Sequence, residues 1–380
     1  MLIPNNVQKT KMFQYAGASR FAYNWALARE IENYEKGGKF ISDAELRKEF
    51  TKLRHSDEYA WLLGISNNVT KQAIKDACTA YKNFFKGLQK FPRFKSKKRS
   101  MPKFYQDNIK IQFSNTHVKF EGFSSSRKRN KQKLNWVRLA EHGCIPTDAK
   151  YMNPRISFDG LNWWISVCVE FPDCIEKLND DGIGIDLGIK DLAICSDGAK
   201  YKNLNKSQKV KKLEKQKRRL QRSISRSYEK NKKGKSYCKT NNVIKKEKLL
   251  LKRNHRLTNI RKNYLNQTTS EIVSRKPRFI CIEDLNVSGM MKNRHLSKAV
   301  QNQGFFEFRK QLEHKCSDKG IQLIVADRFY PSSKLCSCCG NIKKDLKLSD
   351  RIYKCDCGNV IDSDFQASIN LKAYGERFAS

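Results

Sequence analysis

Gly182-Ile183-Gly184-Ile185-Asp186-Leu187-Gly188-Ile189 is the stretch that decides the fold of this 380-residue chain. Alternating glycine and branched apolar residues mark a buried strand, and Asp186 interrupts it. An unpaired charge in such a run is costly. A metal ion accounts for that cost better than a surface ion pair does. Two more acids sit in comparable settings far along the chain. Glu283 ends the apolar run Phe279-Ile280-Cys281-Ile282, and Asp364 lies in Ile361-Asp362-Ser363-Asp364-Phe365-Gln366-Ala367. Spacings of 97 and 81 residues mean that only a fold can gather them. Three converging carboxylates repel one another unless divalent cations neutralise them, and two such cations can clamp the attacking and leaving oxygens of a phosphodiester in line. Asp362 competes with Asp364 for the third position. Asp364, last before a helical pattern, is better placed to point inward.

A second constellation precedes Asp364. Cys336-Ser337-Cys338-Cys339-Gly340 is followed by Cys355-Asp356-Cys357-Gly358. Two pairs of thiolates on glycine turns can close a tetrahedral shell around Zn²⁺ at about 2.3 Å. The ligands assigned are Cys336, Cys339, Cys355 and Cys357; Cys338 could replace Cys339, and the second pair has one intervening residue where two are commoner. Four thiolates leave no open position for water, so this zinc is structural. Of the thirteen cysteines, five crowd into residues 336–357. Cys168, Cys195 and Cys281 lie in apolar runs and read as small core residues in a reducing compartment.

The net charge of +39 and sequence pI near 9.8 point to a polyanionic partner. Mean hydropathy is −0.72, and no apolar run approaches the ~20 residues needed to span a bilayer. Met1-Leu2-Ile3-Pro4-Asn5-Asn6 lacks the features of a signal peptide. Residues 202–262 hold 24 Lys and Arg against 3 Glu and no Asp, which is +21 of the total. Val210, Leu213, Leu220 and Ile224, then Leu249, Leu250, Leu251 and Leu257, predict two helices packed as a hairpin around Gly234. The solvated-face reading of such a charge run is outweighed by its density and by its place between two acid-bearing strands. A surface tracking a nucleic-acid backbone, with Arg218, Arg219 and Arg222 among its contacts, fits better.

The N-terminal part predicts helices over 18–37, 43–54 and 65–88. Phe21, Trp25, Tyr81 and Phe84 read as core rather than stacking platforms. Lys71, Gln72 and Lys75, on the outer side of the third helix, are candidates for contacting a duplex. Residues 91–172 read as strands and turns, including 109–113, 118–120 and a hairpin at Asp159-Gly160 leading into 163–167, with an exposed basic loop over 127–133. An antiparallel, barrel-like domain with an inserted helical unit is the expected architecture. From 183 the pattern resembles an RNase H-type domain: strands at Asp186 and at 192–195, a turn at Asp197-Gly198, strand 278–283, helix 297–319, strand 321–325, and a final helix from about 364.

Together these residues resemble the TnpB family, transposon-encoded RNA-guided DNA endonucleases ancestral to type V CRISPR effectors. The matching pieces are Arg20-Phe21-Ala22-Tyr23-Asn24-Trp25-Ala26-Leu27, Tyr81-Lys82-Asn83-Phe84-Phe85, Phe91-Pro92-Arg93-Phe94-Lys95, Gly184-Ile185-Asp186-Leu187-Gly188, Ile282-Glu283-Asp284-Leu285-Asn286-Val287, Ser332-Ser333-Lys334-Leu335-Cys336 and the closing cysteine and aspartate cluster. The resemblance implies a multidomain α+β chain. Its parts would be a β-barrel wedge domain (1–15 and 91–180), an inserted helical recognition domain (16–90), a RuvC-like nuclease domain (181–330, with the hairpin 202–262), a zinc-binding module (331–361) and a C-terminal nuclease helix (362–380). It further implies Asp186, Glu283 and Asp364 as catalytic ligands of two Mg²⁺ ions, and a guide RNA from the transposon end. Recognition of a short motif beside the double-stranded target, staggered cleavage, one monomer per RNA and a prokaryotic, nucleoid-associated cytoplasmic location complete the expectation, with no membrane partner. Three departures stand out. The chain starts where the family has a first strand, so the barrel is expected to lack it or the start to be misassigned. Ser363 and Gln366 replace the Arg and Asn of the usual last motif, and losing that arginine removes a local cation. The tail after Gly375 is short. A nuclease-inactive RNA-guided DNA-binding regulator is the alternative, and a cut-and-paste transposase on the same core is a third reading.

Overall fold

The computed structural model describes residues 1–123, 134–170, 177–234, 236–343, 345–346 and 350–379; the expected basic loop over 127–133 lies outside them. The chain divides into two units, 1–171 and 172–380. No helix among the described residues is long and apolar enough to cross a membrane.

In the first unit, Leu2 and Ile3 form a short strand, β1 (Leu2–Ile3), and Asn5 then caps a helix. The Asn5 side chain accepts from the Gln8 N–H, and the Gln8 side chain accepts from the Asn5 N–H, satisfying two otherwise orphaned donors. α1 (Asn6–Glu35) therefore starts well before residue 18, where periodicity placed it. Its first half buries Met12, Tyr15, Ala16 and Ala18 on more than one side, so no single apolar stripe announces it. The boundary expected at 15/16 falls inside this continuous helix. α2 (Asp43–Arg54) carries its own capping box from Ser42 and Glu45, and α3 (Asn67–Phe85) follows a short 3₁₀ segment. Trp25 packs edge-on against Phe50 of α2, and Tyr81 is buried, whereas Phe21 and Phe84 are only partly covered.

The strands of this unit are β2 (Lys103–Tyr105), β3 (Gln112–Phe113), β4 (His117–Lys119), β5 (Trp136–Leu139), β6 (Tyr151–Phe158) and β7 (Trp163–Val169). They form one antiparallel sheet in the order β2-β6-β7-β1-β5-β4-β3. β1 thus lies inside the sheet, paired with both β5 and β7, where the barrel was expected to lack its first strand or the start to be misassigned. Among the described residues no ladder joins the edge strands β2 and β3 into a closed barrel. The strand expected over 109–113 is reduced to β3, because the Asp107 carboxylate accepts from the Ile109 and Lys110 N–H groups and turns the chain there. Cys168 is exposed, not a core residue: β7 alternates, and Cys168 shares its outer face with Trp164 and Ser166. Cys195 and Cys281 are buried as expected.

The second unit is built on β8 (Ile183–Leu187), β9 (Asp191–Cys195) and β10 (Lys200–Lys202), then α4 (Gln208–Lys230), the ribbon β11 (Lys232–Lys233) and β12 (Ser236–Tyr237), α5 (Asn241–Ser274) and β13 (Phe279–Glu283). α6 (Val287–Lys292), α7 (Ser297–Gln303), α8 (Phe305–Lys319), β14 (Gln322–Ala326), β15 (Ile352–Lys354), β16 (Val360–Asp362) and α9 (Ser363–Phe378) complete it. The main sheet runs β10-β9-β8-β13-β14, with β9 antiparallel to β8 and β10, and β13 parallel to β8 and β14. The single helix expected over 297–319 is two, because Gly304 adopts φ +74°, a conformation that ends α7 and turns the chain into α8. α4 and α5 pack around Val210, Leu213 and Leu257, while Leu249 is left exposed.

Candidate active site

Parallel pairing aligns two of the three acids. Cys281 lies opposite Gly184 and Ile282 opposite Ile185, so the next step of the register brings Glu283 alongside Asp186 on neighbouring strands. The third comes from α9, which packs on β8. Gly184 is what lets it approach: a Cβ there would stand 2.1 Å from the Ser368 carbonyl oxygen and 2.3 Å from the Lys372 nitrogen, both backbone atoms of α9. A Cβ at Gly375 of α9 would stand 2.3 Å from the Phe279 ring and 3.0 Å from the Cys281 Cβ. Small residues at these points bring the start of α9, and with it Asp364, to the ends of β8 and β13.

The electrostatics register that convergence. Burial pushes the Asp186 carboxyl well above the usual carboxylate range, and the charges of Glu283, Asp364 and Asp362 push it further. Glu283 is raised first by burial; a hydrogen bond donated by the Ser332 hydroxyl lowers it, and Asp364 raises it again. Among the described residues these carboxylates do not form a group as tight as that of the four cysteines, but the charge of Asp364 acts on both Asp186 and Glu283, a chemistry that a divalent cation would suit. Asp362 has a different task. Its carboxylate caps α9, accepting from the N–H groups of Asp364 and Phe365, both at 3.1 Å. Asp364 pairs with Arg351 at 3.6 Å. A cation therefore reaches this acid from just before β15, although Ser363 stands where the resemblance puts an arginine.

The cysteines gather beside it. The Sγ atoms of Cys336, Cys339, Cys355 and Cys357 all lie within 4.8 Å of one another, with Cys336–Cys357 and Cys339–Cys355 at 3.6 Å. A tetrahedron with metal–sulfur bonds of about 2.3 Å separates its sulfurs by about 3.8 Å, so the donor set fits Zn²⁺. Cys338 is exposed and stands outside this group. Burial raises the Cys336 thiol, but N–H groups of Cys339 and Cys338 and the Asn359 amide outweigh it and bring it down to about 6. Cys357 is lowered by the Asn359 N–H but raised more by its sulfur neighbours, to about 12. An easily ionised Cys336 beside a reluctant Cys357 is a pairing that a bound cation would even out.

Side chains that sequence reasoning passed over join the two clusters. Gln366, fully buried on α9, accepts from the Asn359 amide at 2.9 Å and the Ser337 hydroxyl at 3.2 Å, and donates to the Leu335 carbonyl at 2.7 Å. Asn370 donates to the carbonyls of Ser332 and Leu335, both at 2.7 Å. The Ser332–Cys336 strand of chain is thus strapped to the helix that carries Asp364. A buried amide spaced four residues from another on one helix was the available signal.

The expected nucleic-acid contacts lie elsewhere. Lys71 and Lys75 are exposed on α3, but Gln72 is partly covered and its amide donates to Asp76 at 2.9 Å, which also holds Arg155. Arg218, Arg219 and Arg222 are exposed on α4, and Arg218 and Arg222 line an open groove with Gln221, Ser225 and Arg226.

Three family profiles match the chain: "Helix-turn-helix domain" over residues 1–39, "Probable transposase" over 166–294 and "Cas12f1-like, TNB domain" over 305–371. The protein named "Putative RNA-guided DNA endonuclease InsQ" of Escherichia coli K12 is 30% identical, over 98% of this chain and 90% of that protein. A "Putative RNA-guided DNA endonuclease" of Streptomyces pristinaespiralis is 29% identical, over 98% of this chain and 87% of its own. Among solved structures, the Cas12f1 chain of a cryo-EM complex with sgRNA and target DNA superposes with a TM-score of 0.60 at 14% identity, covering 95% of this chain and 81% of that one. That likeness is one of fold.

Proposed function

The chain belongs to the TnpB-like family of transposon-encoded RNA-guided DNA endonucleases, and on that premise we propose that it cuts DNA at sites selected by a bound RNA. The observation that supports the reading is the strand register that sets Asp186 and Glu283 on neighbouring strands, with Asp364, at the start of α9, near enough for its charge to act on both. The order β10-β9-β8-β13-β14, with one antiparallel strand beside the acid-bearing ones, supports a RuvC-like nuclease domain. On the same reading the first unit comprises the wedge and recognition domains, and residues 331–361 a zinc-binding target-nucleic-acid-binding module.

Asp186, Glu283 and Asp364 would hold Mg²⁺, which supplies charge to activate a water and to stabilise the leaving oxygen. The protein's own groups arrange the acids. Ser332 fixes one oxygen of Glu283 and leaves the other for a cation, and Asp362 holds the first turn of α9 so that Asp364 keeps its aim. Arg351 beside Asp364 is placed to meet a phosphate oxygen. Pairing with a guide RNA transcribed from the transposon end would read the target, while the protein reads duplex shape and a short adjacent motif. Lys71 and Lys75 are candidates for the latter, and the exposed arginines of α4 for holding the backbone of the heteroduplex or displaced strand. One such centre per chain suits a monomer on each RNA, acting in a prokaryotic cytoplasm.

The test is cleavage by the protein purified with its RNA. The wild type is expected to cut matched double-stranded DNA in Mg²⁺, and Asp186→Ala to lose on the order of 10³-fold or more in rate while keeping RNA and target binding. Binding without cutting by the wild type would make it a DNA-binding regulator. Cutting that survives the substitution would remove Asp186 from its role.

A further inference from the structure

Directly against Glu283 lies a cavity of about 200 Å³ that the carboxylate chemistry does not use. Its apolar walls include Leu187, Leu285, Val287, Phe305 and Phe306, and Arg309 and Arg328 line it as well. Asp284, the residue after Glu283, holds both guanidiniums: one oxygen accepts from Arg309 at 3.2 Å and the other from Arg328. Glu313 takes the Arg309 Nε at 2.9 Å. Each guanidinium carries five N–H donors in a rigid fork, so these bonds fix its direction and leave donors to spare. Arg328 is half-exposed, and the Phe306 ring, one helical turn before Arg309 on α8, is 70% exposed.

A structural role explains part of this arrangement. Leu285 and Val287 pack on the core, and an arginine pair can simply staple α8 to the β13 end. It does not explain why a phenylalanine stands in solvent beside two oriented guanidiniums at the mouth of an apolar slot. Aromatic face, apolar wall and cationic fork together match one nucleotide of an unpaired strand, its base stacked and its phosphate bridged. The shared wall at Glu283 sets which nucleotide that is.

We propose that this slot anchors the nucleotide beside the scissile phosphate: Phe306 stacks on its base, and Arg309 and Arg328, held by Asp284, take its phosphate. The proposal rests on the hydrolytic reading of the three acids and deepens it by naming what holds the strand in register. It makes Arg309, Arg328 and Phe306 substrate-binding residues.

The experiment uses the full chain with its co-purified RNA and a target whose cut strand carries 5-iodouracil at successive positions through the cut region. Asp186→Ala protein, which retains the strand, is irradiated and the crosslinked peptides are mapped. One position beside the cut is expected to crosslink to the peptide containing Phe306, with a yield about tenfold lower when Arg309→Ala and Arg328→Ala are added. In parallel, a single abasic site at that position is expected to slow the wild type about tenfold and to leave the Phe306→Ala variant no slower than on the intact strand. Crosslinks confined to other peptides, a Phe306 crosslink indifferent to the arginines, or equal sensitivity to the abasic site in both proteins would overturn the subsite. Any of these with normal wild-type cutting leaves the carboxylate site intact, whereas absence of cutting by the wild type defeats that site whatever the crosslinks show.

Discussion

The cysteine cluster and the carboxylate cluster both lie on the second unit, both are proposed metal sites, and they are built in opposite ways. The four thiols come from within residues 336–358, a short stretch bent by Gly340 at φ +74° and Gly358 at φ +89°. Among the described residues of this stretch, Tyr353 and Cys336 are the buried apolar ones. So small a core would make a bound cation part of the segment's folding. The three acids come from two strands and a helix whose positions are set by a core of Ile183, Ile185, Ile280, Ile282 and Leu371. That scaffold brings like charges near one another, and a cation there would relieve a repulsion set by the fold. On the proposed reading, one cluster would need its metal in order to fold, and the other would be built by the core around it.

The comparison can be broken most sharply at the cysteines. Replacing Cys336 and Cys355 together by serine is expected to take zinc from about one per chain to none by elemental analysis, and to open residues 331–362 to proteolysis. An apparent binding free energy on the order of 10–16 kcal/mol is at stake for a structural zinc of this type. A module that stays protease-resistant without zinc would refute the contrast.

A smaller effect is expected at Ser332→Ala. Removing the hydroxyl that holds Glu283 should weaken divalent-cation affinity about 10- to 100-fold, read by the Mg²⁺ or Mn²⁺ dependence of cutting, with zinc content unchanged. A fall in zinc as well would mean that the strap through Asn370 and Gln366 couples the two sites.

The smallest effect has the opposite sign to an ordinary lesion. Asp186 has a folded-state pKa above its unfolded value, so the folded chain holds that proton more tightly. Its contribution to stability is greatest below the unfolded carboxylate pKa and is lost as pH rises through the folded one. In Mg²⁺-free buffer at neutral pH, Asp186→Asn should therefore stabilise the protein by about 1–2 kcal/mol in denaturant titrations, and the gain should vanish as pH falls into the carboxylate range. A destabilised variant at neutral pH would show that Asp186 is not under repulsion.

These outcomes bear on what could be read from the chain alone. α2 was legible to the residue because Ser42 and Glu45 cap it, and the β13 strand because its apolar run is unbroken. α1 was only half legible: its cap at Asn5-Gln8 was written, but its burial on several sides erased the stripe. Gly304 reads as one more helical position until the left-handed turn is seen. The zinc ligands could be proposed from spacing, since neighbours in sequence are neighbours in space. The choice between Cys338 and Cys339 could not, because it turns on which side chain faces the other pair.

For the acids, residue type and setting were a property of the sequence, and so was the family they resemble. Asp186 interrupts an apolar run, Glu283 ends another and Asp364 precedes a helical pattern, and burying charge is costly wherever the chain goes. Their partners were decided by tertiary structure alone. Gly184 matters because backbone atoms of a helix more than 180 residues later lie against it, and Arg351 because the chain just before β15 delivers it to Asp364. Ser332 and Gln366 matter because one helix straps both clusters together. Close packing and hydrogen bonding act over a few ångströms of space, and no pattern along the chain records which distant atoms will share those ångströms.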